Sequence, residues 1–155
     1  MKHEFIGYDE LGRRVHLAFA STWSDLQQAA LPWKQFVALL GGATAHVSTD
    51  QLYAIAERLL DAGAVYLMCW GDGASRCEEI IDEAVAMRSP ASTIMTTAHE
   101  GESLEEVSSF ATSVALPDAA FAATTGDVVL LFVENVRWYD DARRLLQAML
   151  TSDRA

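Results

Sequence analysis

The stretch VYLMCWGDGASRCEEIIDEAV, residues 65–85, carries the three signals that decide the fold: an apolar run, a glycine turn and an amphipathic helix. The run Val65–Trp70 is almost continuously apolar, as is typical of a strand covered on both faces of a parallel sheet. Gly71 and Gly73 then predict a turn. Ser75, with Glu78 three residues later, is a capping-box pattern that predicts a helix start. The helix would bury one stripe, made of Cys77, Ile80, Ile81, Ala84 and Val85.

The same unit, a strand followed by an amphipathic helix, occurs four times. The other three strands are predicted at Gln35–Leu40, Ser92–Thr97 and Val128–Val133, and the helices after them start at Ser48, at Ser103 and near Arg137. This alternation predicts a doubly wound α/β fold with a mainly parallel, four-stranded sheet and helices on both faces. We expect the flavodoxin-like order 2-1-3-4, counted from Gln35–Leu40, because both faces are covered only if the winding reverses.

The remaining segments complete a single predicted α/β domain over residues 1–155. Residues 1–20 are predicted to form a β-hairpin, turning at Asp9–Gly12, that extends one edge of the sheet. Residues 21–33 would connect the hairpin to the core at 34–151, through a short helix over Trp23–Ala30. The last helix, to Leu150, is expected to face inward with Trp138, Ala142, Leu145, Leu146 and Met149.

The charge balance is strongly acidic. The chain has 22 Asp and Glu residues against 11 Lys and Arg residues, a formal net charge of -11. Such a surface repels phosphate backbones and anionic lipid head groups, so neither nucleic acid nor membrane is an expected partner. Another protein, preferably a basic one, is the expected partner. Two adjacent basic pairs, Arg13-Arg14 and Arg143-Arg144, are interpreted as solvated strand or helix faces.

The two cysteines indicate a reducing compartment. Cys69 and Cys77 are too few for a disulfide framework, and both are predicted to be reduced and mostly buried. The N-terminus lacks the apolar core of a signal peptide, and the longest apolar runs are of strand length. A cytoplasmic location is therefore expected.

Reactive side chains are concentrated in the loops that follow the predicted strands. Because ligands of open parallel sheets bind at the carboxyl ends of the strands, we expect these loops to form a binding rim. The rim residues are Trp70, Gly71, Asp72, Thr96, Thr97, His99, Glu134 and Asn135. His99 is the candidate general base, with Asp72 or Glu100 to orient it.

Each candidate also has a structural interpretation. His99 is equally interpreted as an exposed loop histidine, Asp72 as a turn residue and the two threonines as strand formers. A metal site from Cys69, His99 and Glu100 lacks a metal-ligand spacing, so neither metal nor cofactor is expected. Phosphate-binding loops, dinucleotide fingerprints and nucleophile elbows are absent from the sequence.

One part of the chain, Val65–Phe110, resembles a bacterial family of unknown function. The family places a Trp-Gly pair after one strand and a Thr-Thr-x-His-Glu segment after the next, followed by an acidic helix start. The matching positions are Trp70-Gly71, Thr96–Glu100 and Glu105-Glu106. The resemblance implies a bacterial origin and a rim worth testing, and it implies no reaction.

Two functions fit these features. The first is a protein-binding module of the accessory, regulatory or immunity type, favoured by the acidity, the small size and the four tryptophans. The second is a small hydrolase or transferase that uses His99 with Asp72 or Glu100. The spatial arrangement of the rim residues discriminates between them.

Overall fold

The computed structural model describes residues 1–153, and its central element is one six-stranded, mostly parallel β-sheet. The strands are β1 (Lys2–Tyr8), β2 (Arg14–Ala20), β3 (Phe36–Gly41), β4 (Ala64–Trp70), β5 (Met95–His99) and β6 (Asp127–Val133). They lie in the order β1-β2-β6-β3-β4-β5. β1 pairs antiparallel with β2, and the other neighbours in this order are parallel. The four strands of the repeated unit are therefore parallel, as predicted.

Helices cover both faces of this sheet. They are α1 (Trp23–Gln28), α2 (Thr49–Ala62), α3 (Ala74–Arg88), α4 (Leu104–Ser109), α5 (Ala119–Ala122) and α6 (Val136–Met149), and a π-helical turn, Phe110–Val114, continues α4. One face is packed by α1, α2 and α3 through residues such as Leu26, Ile55 and Ile81. The other is packed by α4, the π-helical turn and α6, through Val107, Ala111 and Leu146. No helix within residues 1–153 combines the length and the apolarity needed to cross a membrane.

The predicted strand order is wrong. Counted from β3, the order of the four repeated strands is 4-1-2-3 rather than 2-1-3-4. The predicted hairpin extends the edge at β6, where β2 pairs with β6, and brings the sheet to six strands. The burial of the strands explains the difference. All seven residues of β6 are buried, as a central strand requires, whereas in β5 only His99 is fully buried. The polar sequence MTTAH of β5 suits an edge and not the interior position that the flavodoxin-like order assigns to it.

Several local predictions also need correction. The third strand is Met95–His99 rather than Ser92–Thr97. Ser75 does not cap α3, whose N-cap is Gly73. In α6 the buried aromatic side chain is Tyr139, whereas Met149 is 39% exposed. The other two capping serines are confirmed, Ser48 at α2 and Ser103 in a complete capping box at α4.

The turn of the hairpin is held by a buried ion pair. The Asp9 carboxylate lies 2.8 Å from Nε of Arg13, and the two side chains are 1% and 7% exposed. The Arg13 guanidinium also donates hydrogen bonds to the carbonyl oxygens of Ala111 and Ala115, at 3.2 and 2.7 Å. The prediction that Arg13 lies on a solvated face is therefore wrong. Arg13 is buried and ties the hairpin to the end of the π-helical turn.

Replacing Arg13 by Met is expected to lower the free energy of unfolding by about 3–5 kcal/mol, because Asp9 would stay buried without a counter-charge. Urea titration followed by circular dichroism measures this loss. The matched control is Arg144→Met. Arg144 is 72% exposed and pairs with Asp141 at the surface, so its loss costs at most about 1 kcal/mol. Equal losses in the two variants would contradict a structural role for the Asp9–Arg13 pair.

The two thiols are buried, as predicted, at 1% exposure for Cys69 and 2% for Cys77. A hydrogen bond with Cys77, together with burial, raises the pKa of the Cys69 thiol well above its usual value. The thiolate, which is the reactive form, is thus both rare and inaccessible in the native protein.

Native protein at pH 8 is accordingly expected to react with a thiol reagent at least about a hundredfold more slowly than protein unfolded in urea. The absorbance of the released thiol chromophore measures both rates. Burst labelling of either cysteine in the native protein would contradict this expectation.

Candidate functional site

The loops that follow β3 and β4 lie against each other at the carboxyl edge of the sheet. The backbone N–H of Thr44 donates to the carbonyl oxygen of Asp72 at 3.0 Å, and the Thr44 hydroxyl donates to that of Gly73 at 3.0 Å. Gly71, at φ +112°, lies so near Gly42 that an added Cβ would come within 2.6 Å of its carbonyl oxygen. Glycine is therefore required there by both conformation and space. The Asp72 side chain itself is exposed.

His99 ends β5 and is buried rather than exposed on a loop, with 5% of its surface accessible. Its Nδ1 lies 2.8 Å from Oε2 of Glu102, and its Nε2 lies 2.8 Å from Oγ1 of Thr97. A neutral imidazole satisfies both contacts, donating from Nδ1 and accepting the Thr97 hydroxyl proton at Nε2. The Phe110 ring packs on the imidazole with centroids 4.5 Å apart. His99 is thus hydrogen-bonded to Thr97 and Glu102, and not to the predicted partners Asp72 and Glu100.

Glu102 has a second role beside His99, which sequence reasoning missed. Its backbone carbonyl oxygen accepts a hydrogen bond of 2.8 Å from the indole N–H of Trp70, the register partner of His99 on β4. The sequence contained one signal for this contact, the spacing of three residues between His99 and Glu102. A tight turn over this spacing brings the Glu102 carboxylate back to the His99 imidazole. The positive φ of +79° at Gly101 accommodates this turn.

Glu100 acts on the neighbouring helix instead of on His99. Its carboxylate accepts a hydrogen bond of 3.0 Å from the backbone N–H of Gly73 and one of 3.2 Å from the Ser75 hydroxyl. Gly73, the N-cap of α3, has no side chain to satisfy the helix start. Glu100 supplies the missing hydrogen-bond acceptor from the loop after β5. Its negative charge also interacts favourably with the positive end of the helix dipole.

Glu134 and Asn135 lie away from His99. They follow β6, which is separated from β5 by β3 and β4, so the two strands are about 14 Å apart. Asn135 caps α6 by accepting from the N–H of Trp138, and Glu134 has a positive φ of +69°. The carboxylate of Glu134 lies 3.2 Å from Nε2 of the exposed His46. The winding reverses between β3 and β6, and there a cavity of about 410 Å³ opens beside Ala43, Glu134 and Trp138.

The predicted rim therefore separates into two groups. Trp70, Gly71, Asp72, Thr97, His99 and Glu100 belong to connected contacts around the ends of β4 and β5, while Glu134 and Asn135 line the crevice between β3 and β6. Thr96 points to the opposite face from Thr97, where its hydroxyl contacts Glu78 and Asp82 of α3. Within residues 1–153, no three His, Cys, Asp or Glu side chains are arranged to hold a metal ion.

Carboxylates surround the free edge of the sheet at β5. Helix α3 covers one face beside β5, and the start of α4 lies on the other. We call the surface formed by β5 and these helix residues the acidic edge. The carboxylates that contacts place there are Glu78 and Asp82, which lie beside Thr96 of β5, Glu100, which follows β5, and Glu102, which contacts His99. Between residues 78 and 106 the only Lys or Arg is Arg88, which is paired with Asp61.

Comparison with known families finds one match. The sequence profile of a domain of unknown function, DUF7684, matches residues 15–149. This span includes β2 except for Arg14, the strands β3 to β6 and the whole of α6. A comparison with curated proteins finds no match. The resemblance to a family of unknown function is confirmed at this level, whereas the family motifs and the bacterial origin stay predictions.

Replacing His99 by Ala is expected to lower the free energy of unfolding by about 2–4 kcal/mol, through a cavity under Phe110 and two lost hydrogen bonds. Thermal and urea unfolding measure the loss. His46→Ala is the control, because its side chain is 57% exposed and its removal should cost at most about 0.5 kcal/mol. A His99 variant as stable as the control would contradict the structural role and leave the imidazole free for chemistry.

Proposed function

The chain belongs to the DUF7684 family, whose function is unknown, and we propose that it is a protein-binding module of the accessory, regulatory or immunity type. The acidic edge is its docking surface, and the partner presents a basic, extended segment that pairs with β5. A cytoplasmic location is part of this proposal, because the two buried, reduced thiols suit a reducing compartment. The single observation that carries the proposal is the coincidence of an unpaired strand edge with the four carboxylates of the acidic edge.

Strand β5 supplies the backbone groups for such docking. It lies last in the sheet and pairs with β4 on one side only. Its outer row of N–H and C=O groups is therefore the kind of edge to which an extended peptide adds as a further strand. Met95 and Ala98 are exposed on this strand, so a partner would also cover apolar surface.

The carboxylates beside β5 lack enough counter-charge of their own. The Thr96 hydroxyl lies within hydrogen-bond distance of both Glu78 and Asp82, although its one proton serves only one of them. Burial raises the pKa of Glu78, and the nearby carboxylate of Asp82 adds to the rise against the effect of Thr96. A lysine or arginine of a partner would relieve this repulsion. The local charge therefore favours a cationic occupant.

The same charge disfavours a second copy of this chain as the occupant. Two acidic edges that approached each other would bring like charges together, which is costly at an interface. Natural edge strands are protected from self-pairing by charged side chains in the same way. The acidic edge therefore disfavours pairing with a second copy of this chain and favours a basic partner.

A second candidate function rests on the contact between Thr97, His99 and Glu102. A hydroxyl, an imidazole and a carboxylate in hydrogen-bonded sequence are the parts of an activated nucleophile, as a small hydrolase or transferase needs. The 5% exposure of His99 and the cover of Phe110 favour binding over this function. Thr97→Val, which removes the hydroxyl and keeps the shape, would abolish an activity that depended on it.

The binding proposal is tested with an extended basic peptide of alternating lysine and valine or threonine, titrated by calorimetry. We expect a Kd at or below about 1 mM at low salt, weakening as salt screens the charges. Hydrogen exchange should slow at the outward-facing amides of β5. Binding without protection of β5 would contradict strand addition.

Charge-reversal variants locate the surface. Glu78→Lys combined with Asp82→Lys, both beside Thr96 of β5, should weaken peptide binding at least about tenfold. The matched control combines Asp25→Lys on α1 with Glu57→Lys on α2, which changes the net charge equally at exposed helix positions. If the control weakens binding as much, the attraction comes from net charge alone and the acidic edge is not the site.

A further inference from the structure

A second cavity lies at the opposite end of the sheet, where the parallel strands begin. It encloses about 560 Å³, a volume within the range of small-molecule sites. The polar and aromatic residues used below are His3, Arg14, His16, Trp33, Lys34 and Asp127. They come from β1, β2, the segment before β3 and the start of β6, so the cavity forms only when β6 joins the hairpin to the core.

The charge of this cavity is opposite to that of the whole protein. With histidines counted as neutral, as in the chain's net charge of -11, the lining holds two cations, Arg14 and Lys34, together with the imidazoles of His3 and His16. Asp127 is the one acidic residue in the lining. Lys34 is exposed and forms no hydrogen bond or ion pair with any residue of the described chain. The cavity is therefore a cationic site in an acidic protein.

Asp127 orients the cationic groups and does not simply neutralise them. Its two carboxylate oxygens accept hydrogen bonds of 2.9 Å from Nε and from one terminal nitrogen of Arg14. The other terminal nitrogen of Arg14 stays free to donate, and the Arg14 side chain is 57% exposed. Oδ1 of Asp127 also lies 2.7 Å from Nε2 of His16. A guanidinium fixed in this way is ready to bind an oxyanion with little loss of entropy.

Aromatic rings form one wall of the cavity. The Trp33 ring lies 5.4 Å from His3 and 5.8 Å from His16, measured between centroids, and is inclined to these rings by 71° and 52°. Such a wall gives aromatic surface beside the cations. It suits a ligand that carries a ring as well as a negative charge.

We propose that this cavity binds a small organic oxyanion, a phosphate or carboxylate carried on a flat ring, with Arg14 and Lys34 holding the negative group. The site is independent of the acidic edge, because it lies at the other end of the strands and between two and four strand steps from β5. His16 reports on its occupation. Burial lowers the pKa of His16 against the effect of Asp127, and Arg14 and His3 lower it further. An anion bound among His3, Arg14, Lys34 and Asp127 would place a negative charge near His16. This charge favours the protonated imidazole and therefore raises the pKa of His16.

The probes are phenyl phosphate and benzoate, with benzyl alcohol as the uncharged analogue. We expect Kd values at or below about 1 mM for at least one anion, no saturable binding of the alcohol, and an upward shift of the His16 titration by NMR. Which anion binds more tightly distinguishes a phosphate from a carboxylate site. Equal binding of benzyl alcohol, or no binding of either anion up to about 10 mM, would overturn the proposal.

Two variants test the residues. Lys34→Gln removes an exposed charge and leaves the Asp127 contacts intact, so the protein should fold normally and bind the anion at least about tenfold more weakly. Arg14→Gln should weaken binding further, and its fold is checked by circular dichroism. Arg144→Gln on α6 is the matched control and should bind as the native protein does. Binding that survives both Lys34→Gln and Arg14→Gln would place the anion elsewhere.

Discussion

Strand β6 pairs in parallel with β2 on one side and with β3 on the other, and all seven of its residues are buried. This double pairing joins the N-terminal hairpin to the βαβ core. In the described sheet, β6 is the strand that lies between them. It also fixes the register in which Asp127 stands opposite Arg14 and Phe36. The cavity at the start of the strands and the crevice at their ends are both consequences of where β6 inserts.

The insertion of β6 forces the winding to reverse beside β3. The chain passes from β5 through α4 and the π-helical turn on the face opposite α2 and α3, and returns on the far side of β3. Arg13 holds this long crossover in place. Its guanidinium donates to the carbonyl oxygens of Ala111 and Ala115, at the π-helical turn, while it is paired with Asp9 of the hairpin. A buried pair stabilises only when both partners are present, so the hairpin and the crossover depend on each other.

Local sequence patterns predicted most elements but not their lateral order. The four strands and the caps at Ser48 and Ser103 follow from hydrophobic runs and capping residues, which act over a few positions. Strand order depends on which runs must be covered on both sides. The polar residues of β5 contained that signal, since Thr96 and Thr97 suit an edge better than the centre. The predicted rim residues come together only where their strands are neighbours, which is why His99 lies close to Trp70 and Glu102 while Glu134 lies apart.

Contacts between residues distant in sequence decide what the polar side chains do. Glu100 caps a helix that begins 26 residues earlier, and Asp127 binds an arginine and a histidine of the hairpin. Neither contact follows a regular residue spacing, so neither could be predicted from a single sequence. The two charged surfaces that result are well separated. The part of the cavity nearest to β5 precedes β3, two strand steps or about 10 Å away, and Arg14 on β2 is four steps or about 19 Å away; both distances exceed the screening length of about 8 Å at physiological salt. The acidic edge therefore contributes little to the potential in the cationic cavity, so the proposed docking of a basic partner and the proposed binding of an anion do not compete electrostatically.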